Sequence, residues 1–344
     1  MKTTCLINSF NYVRYLPEAI DSALKQTQPF DEVIVVDDGS TDGSRELLFS
    51  RYAPLPQVQI VAKANGGQLS CFNEGFRRAI GDIIFFLDAD DVYCPNYVTE
   101  VLNTYSRQPA ADCVFTGLRR FGQVDDVQLP HATDRDFGYA AIAVLFGSDD
   151  WVGAPTSCLS LRRSLLERWL PLPLERDWRT RADDCLVYGC DVAGGRKYYL
   201  AQPLVHYRIH GQNHFSGKQF DATYNYQRRL NLARLFGWLQ QHLGYDLNRL
   251  LAYAGHEFAS RPEPTFKEFR HYWRLVGQSS IEGWQKRQAW SRILGHYLSH
   301  QIPWFGRLVA RQRAAKHARH QLPQTCSAPL AASPPANLAN VDAA

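Results

Sequence analysis

Short apolar runs alternate with stretches of helical periodicity along the first 120 residues of the chain. The runs show little alternation with polar residues, which is typical of parallel strands buried on both faces. They predict strands at residues 3–9, 32–38, 57–62, 82–87 and 113–118. Helical spacing of apolar residues predicts helices at 15–27 and after the Asn-Gly-Gly turn at 65–67. This order predicts an α/β fold with a Rossmann-like, mostly parallel sheet flanked by helices.

Acidic residues follow two of the predicted strands. Asp37 and Asp38 end the second strand, and Asp88, Asp90 and Asp91 follow the fourth. Open α/β sheets bind ligands at the carboxyl ends of their strands. Carboxylates this close repel one another unless a cation or bound donors compensate. The pattern therefore predicts a ligand site with a divalent metal, while a solvated acidic turn is the alternative for either segment alone.

Several other residues are candidates for binding or catalysis. Tyr12, in the loop after the first strand, could stack on a nucleobase or pack in the core. The turn at 65–67 could offer N–H groups to an anion, or be ordinary turn chemistry. Asp184 could be a general base, and His210 a metal ligand or phosphate partner. A helix N-cap and a surface histidine are the alternatives for these two.

Composition narrows the class of protein. The chain has 344 residues, a hydrophobic fraction of 45% and a net charge of only +4, which indicates no general affinity for polyanions. Its eight cysteines form no close CxxC pair, which argues against a zinc ribbon. The N-terminus does not resemble a signal peptide, and no segment approaches the ~20 apolar residues of a membrane span. We therefore expect a cytoplasmic protein with reduced thiols.

Four motifs together resemble glycosyltransferase family 2. They are NY with a following leucine at 11–16, VVDDGSTDGS at 35–44, LDADD at 87–91, and ADD at 182–184 with YRIHGQN at 207–213. The resemblance covers residues 3–216. It implies a GT-A fold and an inverting transfer of a single sugar from a nucleotide sugar, expected to be a UDP-sugar. The implied acceptor is a hydroxyl of a saccharide, or of a lipid-linked molecule of the cell envelope.

The resemblance also implies a domain plan. Residues 1–220 would form the catalytic domain, with a nucleotide half at 1–118 and an acceptor half at 119–220. Residues 221–320 would form a helical C-terminal extension, because the sequence becomes helix-like there. The Pro-, Ala- and Ser-rich residues 321–344 are expected to be disordered. In the acceptor half, Trp151 and Trp178 are candidate sugar platforms or core residues.

The family's nucleotide-binding roles carry over to matching positions. Asp38 would hold the base, and Asp88 would contact the ribose or the metal. The full set of expected nucleotide-sugar contacts is Ser9, Asn11, Tyr12, Asp38, Gly67, Gln68 and Asp88.

The remaining roles concern the metal and the base. Asp88 and Asp90 match the family's DxD motif, and with His210 they would hold Mg²⁺ or Mn²⁺. Asp184 matches the acid that takes the proton of the acceptor hydroxyl. The family's Glu-Asp pair is Asp183-Asp184 here, so either carboxylate could be the base. We expect Asp184, because it occupies the second place.

Four other functions are alternatives to this one. DADDV partly resembles the nucleophile motif of haloacid-dehalogenase-type phosphatases, but three predicted strands precede it. A sugar nucleotidyltransferase would need a glycine-rich basic loop near the N-terminus, which is missing. A processive synthase would carry membrane helices and a QxxRW motif. Neither is present in the sequence, so we expect a single addition. An inactive nucleotide-sugar-binding module remains an alternative.

The C-terminal region is basic and aromatic. Eight Lys and Arg residues lie between Lys286 and Arg319, and no acid occurs from Gly283 to Val341. Tryptophan, tyrosine and phenylalanine are interleaved with them. Residues 284–320 could therefore associate peripherally with an anionic membrane, on the inner face of the cell membrane. The alternative is a helical cap on the catalytic domain, and no nucleic-acid partner is expected.

Overall fold

The computed structural model describes residues 1–147, 151–211, 213 and 220–302. Within them, the strands join into one sheet. The strands are β1 Thr3–Ser9, β2 Glu32–Asp37, β3 Val58–Ala62, β4 Ile83–Asp88, β5 Val92–Tyr93, β6 Cys113–Gly122, β7 Asp126–Gln128, β8 Arg135–Gly138, β9 Leu159–Arg162 and β10 Lys197–Ile209. Each of the five strands predicted from apolar runs is present.

Helices occur between the strands and make up most of the described chain after residue 221. They are α1 Leu16–Leu24, α2 Ser44–Leu47, α3 Gln68–Arg78, α4 Tyr97–Arg107, α5 Ala141–Leu145, α6 Arg163–Leu166, α7 Asp183–Val192, α8 Ala222–His242, α9 Leu247–Leu250, α10 Ala254–Phe258, α11 Phe266–Gln278 and α12 Gly283–Gln301. Pro17 lies in the first turn of α1, where its missing N–H costs nothing.

The sheet topology places the acidic strand ends side by side. The strand order is β3-β2-β1-β4-β9-β6-β10-β5. β1 is parallel to both β2 and β4, and the register pairs Ser9 with Asp37 and Asn8 with Asp88. The order changes direction between β1 and β4, which is where α/β sheets open a crevice for a ligand. β9 is antiparallel to β4 and β6, so the sheet is mixed on its far side.

The core explains why the strand predictions succeeded. Nearly all residues of β1, β2 and β4 are buried, because helices cover both sheet faces. Trp178 is 2% exposed and belongs to this core rather than to a sugar platform.

The helices after Asp221 pack on the region that contains the sheet. Leu235 and Leu239 of α8 join the main core. A second, smaller core lies under α10, α11 and α12, and α5 contributes Ile142 and Ala143 to it. Residues 1–297 form one compact unit, so the change of character at 220 does not coincide with a division between units. Residues 298–301 end α12 and belong, with Ile302, to a second unit, and the expected disordered tail at 321–344 lies outside the described residues.

No described helix has both the length and the apolar character that crossing a bilayer requires.

Candidate active site

A cavity of about 470 Å³ opens at the carboxyl ends of β1, β2 and β4. Its walls come from these strand ends, the start of α3, the segment around Trp151 and the loop before α7. The lining residues are Asn8, Ser9, Phe10, Tyr12, Asp38, Asn65, Gly67, Gln68, Cys71, Asp88, Ala89, Asp90, Trp151, Pro155, Thr156, Arg179, Thr180, Arg181, Asp183, Tyr207 and Asn213. Most of the predicted site residues therefore lie in one cavity.

Asp38 holds the turn that begins α3. One carboxylate oxygen accepts hydrogen bonds from Lys63 Nζ (2.5 Å) and the N–H of Gly66 (2.8 Å). The other accepts from the N–H of Gly67 at 2.7 Å. Gly67 has a φ of +89°, and a Cβ there would lie 2.4 Å from the Cα of Arg179. Only glycine fits this position. Gly67 therefore permits the turn at 65–67 to approach the loop that contains Arg179, and both line the cavity.

Gln68 connects three parts of the cavity wall. Its Nε2 donates to Asp88 Oδ1 at 2.9 Å and to Thr156 Oγ1 at 3.2 Å. Its Oε1 accepts from the N–H of Ala182 at 2.9 Å. Gln68 was expected to bind the nucleotide sugar, and it does line the cavity, but each end of its amide already has a protein partner.

The three acids after β4 have different surroundings. Asp91 is fully buried and accepts hydrogen bonds from Ser157 Oγ and from the N–H of Arg208. It therefore fixes the loop rather than facing the cavity. Asp88 and Asp90 line the cavity. Burial, together with the charge of Asp90, raises the pKa of Asp88 to about 7.

The end of β4 fits a divalent cation. Asp88 and Asp90 repel each other, and the side-chain oxygen of Asn8 is buried with no hydrogen-bond partner among the described residues. His210 Nε2 lies 3.0 Å from Asp90 Oδ2, so the third expected ligand is adjacent to the second. Carboxylate oxygens are the ligands that Mg²⁺ and Mn²⁺ prefer. Across the described part of the chain, no three His, Cys, Asp or Glu side chains form a ready-made metal cluster.

The Asp183-Asp184 pair is arranged differently from our expectation. Asp184 is 0% exposed and does not line the cavity. Arg228 of α8 binds it through two hydrogen bonds of 2.9 Å, and Arg181 Nε lies 3.4 Å from Oδ2. Asp183 lines the cavity instead, and burial and the charge of Asp184 raise its pKa to about 7. Asp184, which we expected to be the base, thus lies outside the cavity while Asp183 lines it, because successive residues at a helix start point in different directions.

Asn11 is also placed differently. It is exposed, has a φ of +58° and does not line the cavity. Its backbone N–H donates to Ser40 Oγ, and its side-chain oxygen accepts from the N–H of Thr41. Asn11 thus joins the loops after β1 and β2, and its neighbour Phe10 takes the place in the cavity wall.

Comparison with known proteins decides the family. The model of Glycosyl transferase family 2 matches residues 4–170. An uncharacterized glycosyltransferase of Nostoc sp. (strain PCC 7120) is 30% identical over 315 residues, which are 86% of this chain and 94% of that protein. The chain belongs to glycosyltransferase family 2. A chondroitin synthase of Pasteurella multocida is 36% identical to this glycosyltransferase over 113 residues, 33% of this chain and 12% of the synthase.

A solved structure confirms the predicted fold of this family 2 glycosyltransferase. Residues 1–349 of S. aureus TarS, in complex with UDP-GlcNAc, superpose with a TM-score of 0.52 and 16% identity, over 88% of this chain and 91% of that one. The α/β fold of the GT-A type is thus confirmed, and the phosphatase alternative is rejected.

Sequence reasoning missed several residues of the glycosyltransferase cavity. Arg179, Arg181 and Tyr207 bring charge and an aromatic ring to its wall. Arg181 stands directly before the ADD motif and Arg179 lies two residues earlier, so their position in the sequence was an available signal. Thr156 offered no such signal, because only the fold brings it to Gln68.

We predict that the substitution Arg228→Met strongly destabilises the glycosyltransferase. It would leave the fully buried Asp184 carboxylate without its bidentate partner, which typically costs about 3 kcal/mol. The free energy of unfolding, from urea denaturation, measures the effect. Arg234→Met on the same helix is the matched control, because Arg234 is 54% exposed in its pair with Asp177 and should contribute less than about 1 kcal/mol. Equal effects of the two substitutions would contradict the prediction.

Proposed function

We propose that this glycosyltransferase transfers a single sugar from a UDP-sugar to a hydroxyl of a saccharide or lipid-linked acceptor, with metal dependence and inversion at the anomeric carbon. The observation that carries the proposal is the shared cavity. Asp88 and Asp90 from the end of β4 and Asp183 from the start of α7 line the same space of about 470 Å³. The acids proposed to bind the leaving group and the carboxylate proposed as the base therefore line the same cavity, so one bound substrate could contact both.

The nucleotide half of the cavity supports a nucleoside diphosphate. Tyr12 offers an aromatic face to the base, and Asp38 and Ser9 offer polar atoms to the nucleoside. The hydroxyl of Ser9 is buried with no partner among the described residues, so a ligand hydroxyl could satisfy it. TarS, which shares the fold, was solved with UDP-GlcNAc, and this supports a UDP-sugar donor.

Asp88, Asp90 and His210 would hold Mg²⁺ or Mn²⁺. When bound, the cation would act as a Lewis acid that stabilises the diphosphate leaving group. Arg179 and Arg181 line the same cavity and bring further positive charge toward a diphosphate. The carboxylates would thus hold a cation, and the arginines would add their own positive charge, where negative charge develops on the leaving diphosphate.

Asp183 is the base in this proposal. Its carboxylate would accept the proton of the acceptor hydroxyl as that oxygen attacks the anomeric carbon. A pKa near 7 suits this role at neutral pH. A single base with no covalent intermediate leads to inversion, because the acceptor attacks opposite the leaving diphosphate.

Replacement of the base should separate chemistry from binding. We predict that Asp183→Asn lowers the rate of UDP release from a UDP-sugar by about 10²–10⁴-fold, because the hydroxyl loses its proton acceptor. Binding of UDP with Mn²⁺, measured by calorimetry, should stay within a few fold. The comparison variant is Asp184→Asn. A loss of rate confined to a folded Asp184→Asn protein would return the role of base to Asp184.

The metal proposal has a binding readout of its own. We predict that Mn²⁺ increases the thermal stabilisation by UDP in the unmodified protein, because a ligand that binds only the folded state raises its stability. Asp90→Asn should abolish this Mn²⁺-dependent increment. Asp125→Asn is the control, since Asp125 lies in an exposed ion pair with Arg119 outside the cavity. An unchanged increment in Asp90→Asn would refute the assignment of the metal ligand.

We also propose that the C-terminal region binds an anionic membrane surface peripherally. The inner side of α12 packs through Ala289 and Ile293, as a cap would. Its N-terminal turn is open: Trp284 is 55% exposed, next to Lys286 and Arg287. Exposed aromatic and basic side chains together favour an interface with anionic lipid. Trp304 and Phe305, which were part of this prediction, lie outside the described residues.

Vesicle flotation tests the membrane proposal. We predict that the full chain floats with vesicles that contain phosphatidylglycerol, but not with neutral phosphatidylcholine vesicles. Arg287→Gln should weaken binding by about fivefold, since a basic residue near such a surface contributes about 1 kcal/mol. Tyr226→Ala, an exposed substitution on α8, is the control. Equal flotation with both kinds of vesicle, or with neither, would contradict the proposal.

A further inference from the structure

A second cavity, of about 340 Å³, lies where α11 packs near β8, α5 and the end of α7. Its lining residues are His131, Arg135, Phe137, Ala140, Ala143, Val144, Trp151, Val152, Asp191, Arg261, Thr265, Lys267, Glu268, His271 and Tyr272. Trp151 lines this cavity and also the candidate active site. One side chain therefore borders both spaces.

The residues that line the second cavity include one more basic than acidic side chain. Arg135, Arg261 and Lys267 line it, and the only two acids among the lining residues are Asp191 and Glu268. Basic side chains already bind both acids. The pairs are Asp191 with Lys197 (2.6 Å) and Glu268 with Arg261. Arg135 forms no salt bridge among the described residues, so its positive charge is the one that an anion in this cavity would meet.

The nearby acid Glu257 interacts electrostatically with Arg261 and is held in place by neutral donors. Its carboxylate accepts hydrogen bonds from the backbone N–H groups of Ile142 (2.7 Å) and Ala143 (3.0 Å). It also accepts one from the hydroxyl of Tyr272, at 2.6 Å. Glu257 is thus engaged at the start of α5 and is not among the residues that line the cavity.

Two buried donors in the lining have no hydrogen-bond partner among the described residues. They are Nε of Arg261 and Nε1 of Trp151. Arg261 is 7% exposed, so water has little access to it. A buried donor without a partner costs about 1–3 kcal/mol, and more for a charged group. Both donors could be satisfied by the oxygens of a bound anion or sugar.

We propose that this cavity binds the carboxylate or phosphate of an acidic acceptor saccharide. The inference rests on the proposed function, because the sugar part of that acceptor would pass over Trp151 toward Asp183 in the active site. An indole face suits the apolar side of a sugar ring, and its N–H suits a hydroxyl. Arg135 would select for the negative charge, and Arg261, whose charge is paired with Glu268, would donate its Nε–H.

Ligand binding to the full chain tests the charge requirement. The probes are a disaccharide that ends in glucuronate, its neutral counterpart that ends in glucose, and inorganic phosphate, each measured by calorimetry. We expect the acidic disaccharide to bind at least tenfold more tightly than the neutral one. Arg135→Gln should lower the ratio of the two affinities by at least tenfold. Arg135 is half-buried and forms no salt bridge among the described residues, so this change should leave the fold intact.

Controls separate this inference from the proposed function. Arg120→Gln, in an ion pair with Asp126 outside the cavity, should leave the preference unchanged. Binding of UDP with Mn²⁺ should be the same in all three proteins. If the unmodified protein does not bind UDP with Mn²⁺, this result would count against the proposed function alone. Equal binding of the two disaccharides, or tight binding of inorganic phosphate alone, would overturn the acidic-acceptor assignment.

Discussion

The site depends on the side-chain amide of Gln68, the first residue of α3. Its N–H₂ group binds Asp88 at the end of β4 and Thr156, while its oxygen binds the backbone of Ala182 just before α7. A glutamate could not replace it, because a carboxylate cannot donate and would repel Asp88. This one amide therefore sets how far the acids of the DxD motif lie from Asp183.

Access to the cavity distinguishes structural acids from those available for chemistry, because burial raises the pKa of Asp91 as well although it does not line the cavity. Asp91 and Asp184 are fully buried and satisfied by protein donors, the second by Arg228. Asp88 and Asp183 face the cavity with a pKa raised to about 7, since burial and a neighbouring carboxylate disfavour their charged forms. Strongly shifted groups in a cleft are typical of functional sites. Their surroundings, rather than their place in a motif, indicate which acids can bind a cation or accept a proton.

Local patterns were sufficient for the sheet and for the acids at its edge. Uninterrupted apolar runs identified β1, β2 and β4, and carboxylates directly after a buried strand must lie at the sheet's carboxyl edge, as Asp38 and Asp88 do. The choice between Asp183 and Asp184 could not be made in this way. It depends on the direction of each side chain at a helix start and on Arg228, which is 44 residues further along the chain than Asp184. Long-range pairs of this kind leave no periodic signal.

The C-terminal helices contribute to the active site as well as covering it. Through Arg228, α8 neutralises Asp184, which leaves Asp183 as the carboxylate of the pair that faces the cavity. The second cavity lies where α11 meets the catalytic region, and Trp151 connects it to the first. Because both contacts come from helices after residue 221, substitutions in these helices would alter the surroundings of Asp183 and of the second cavity together.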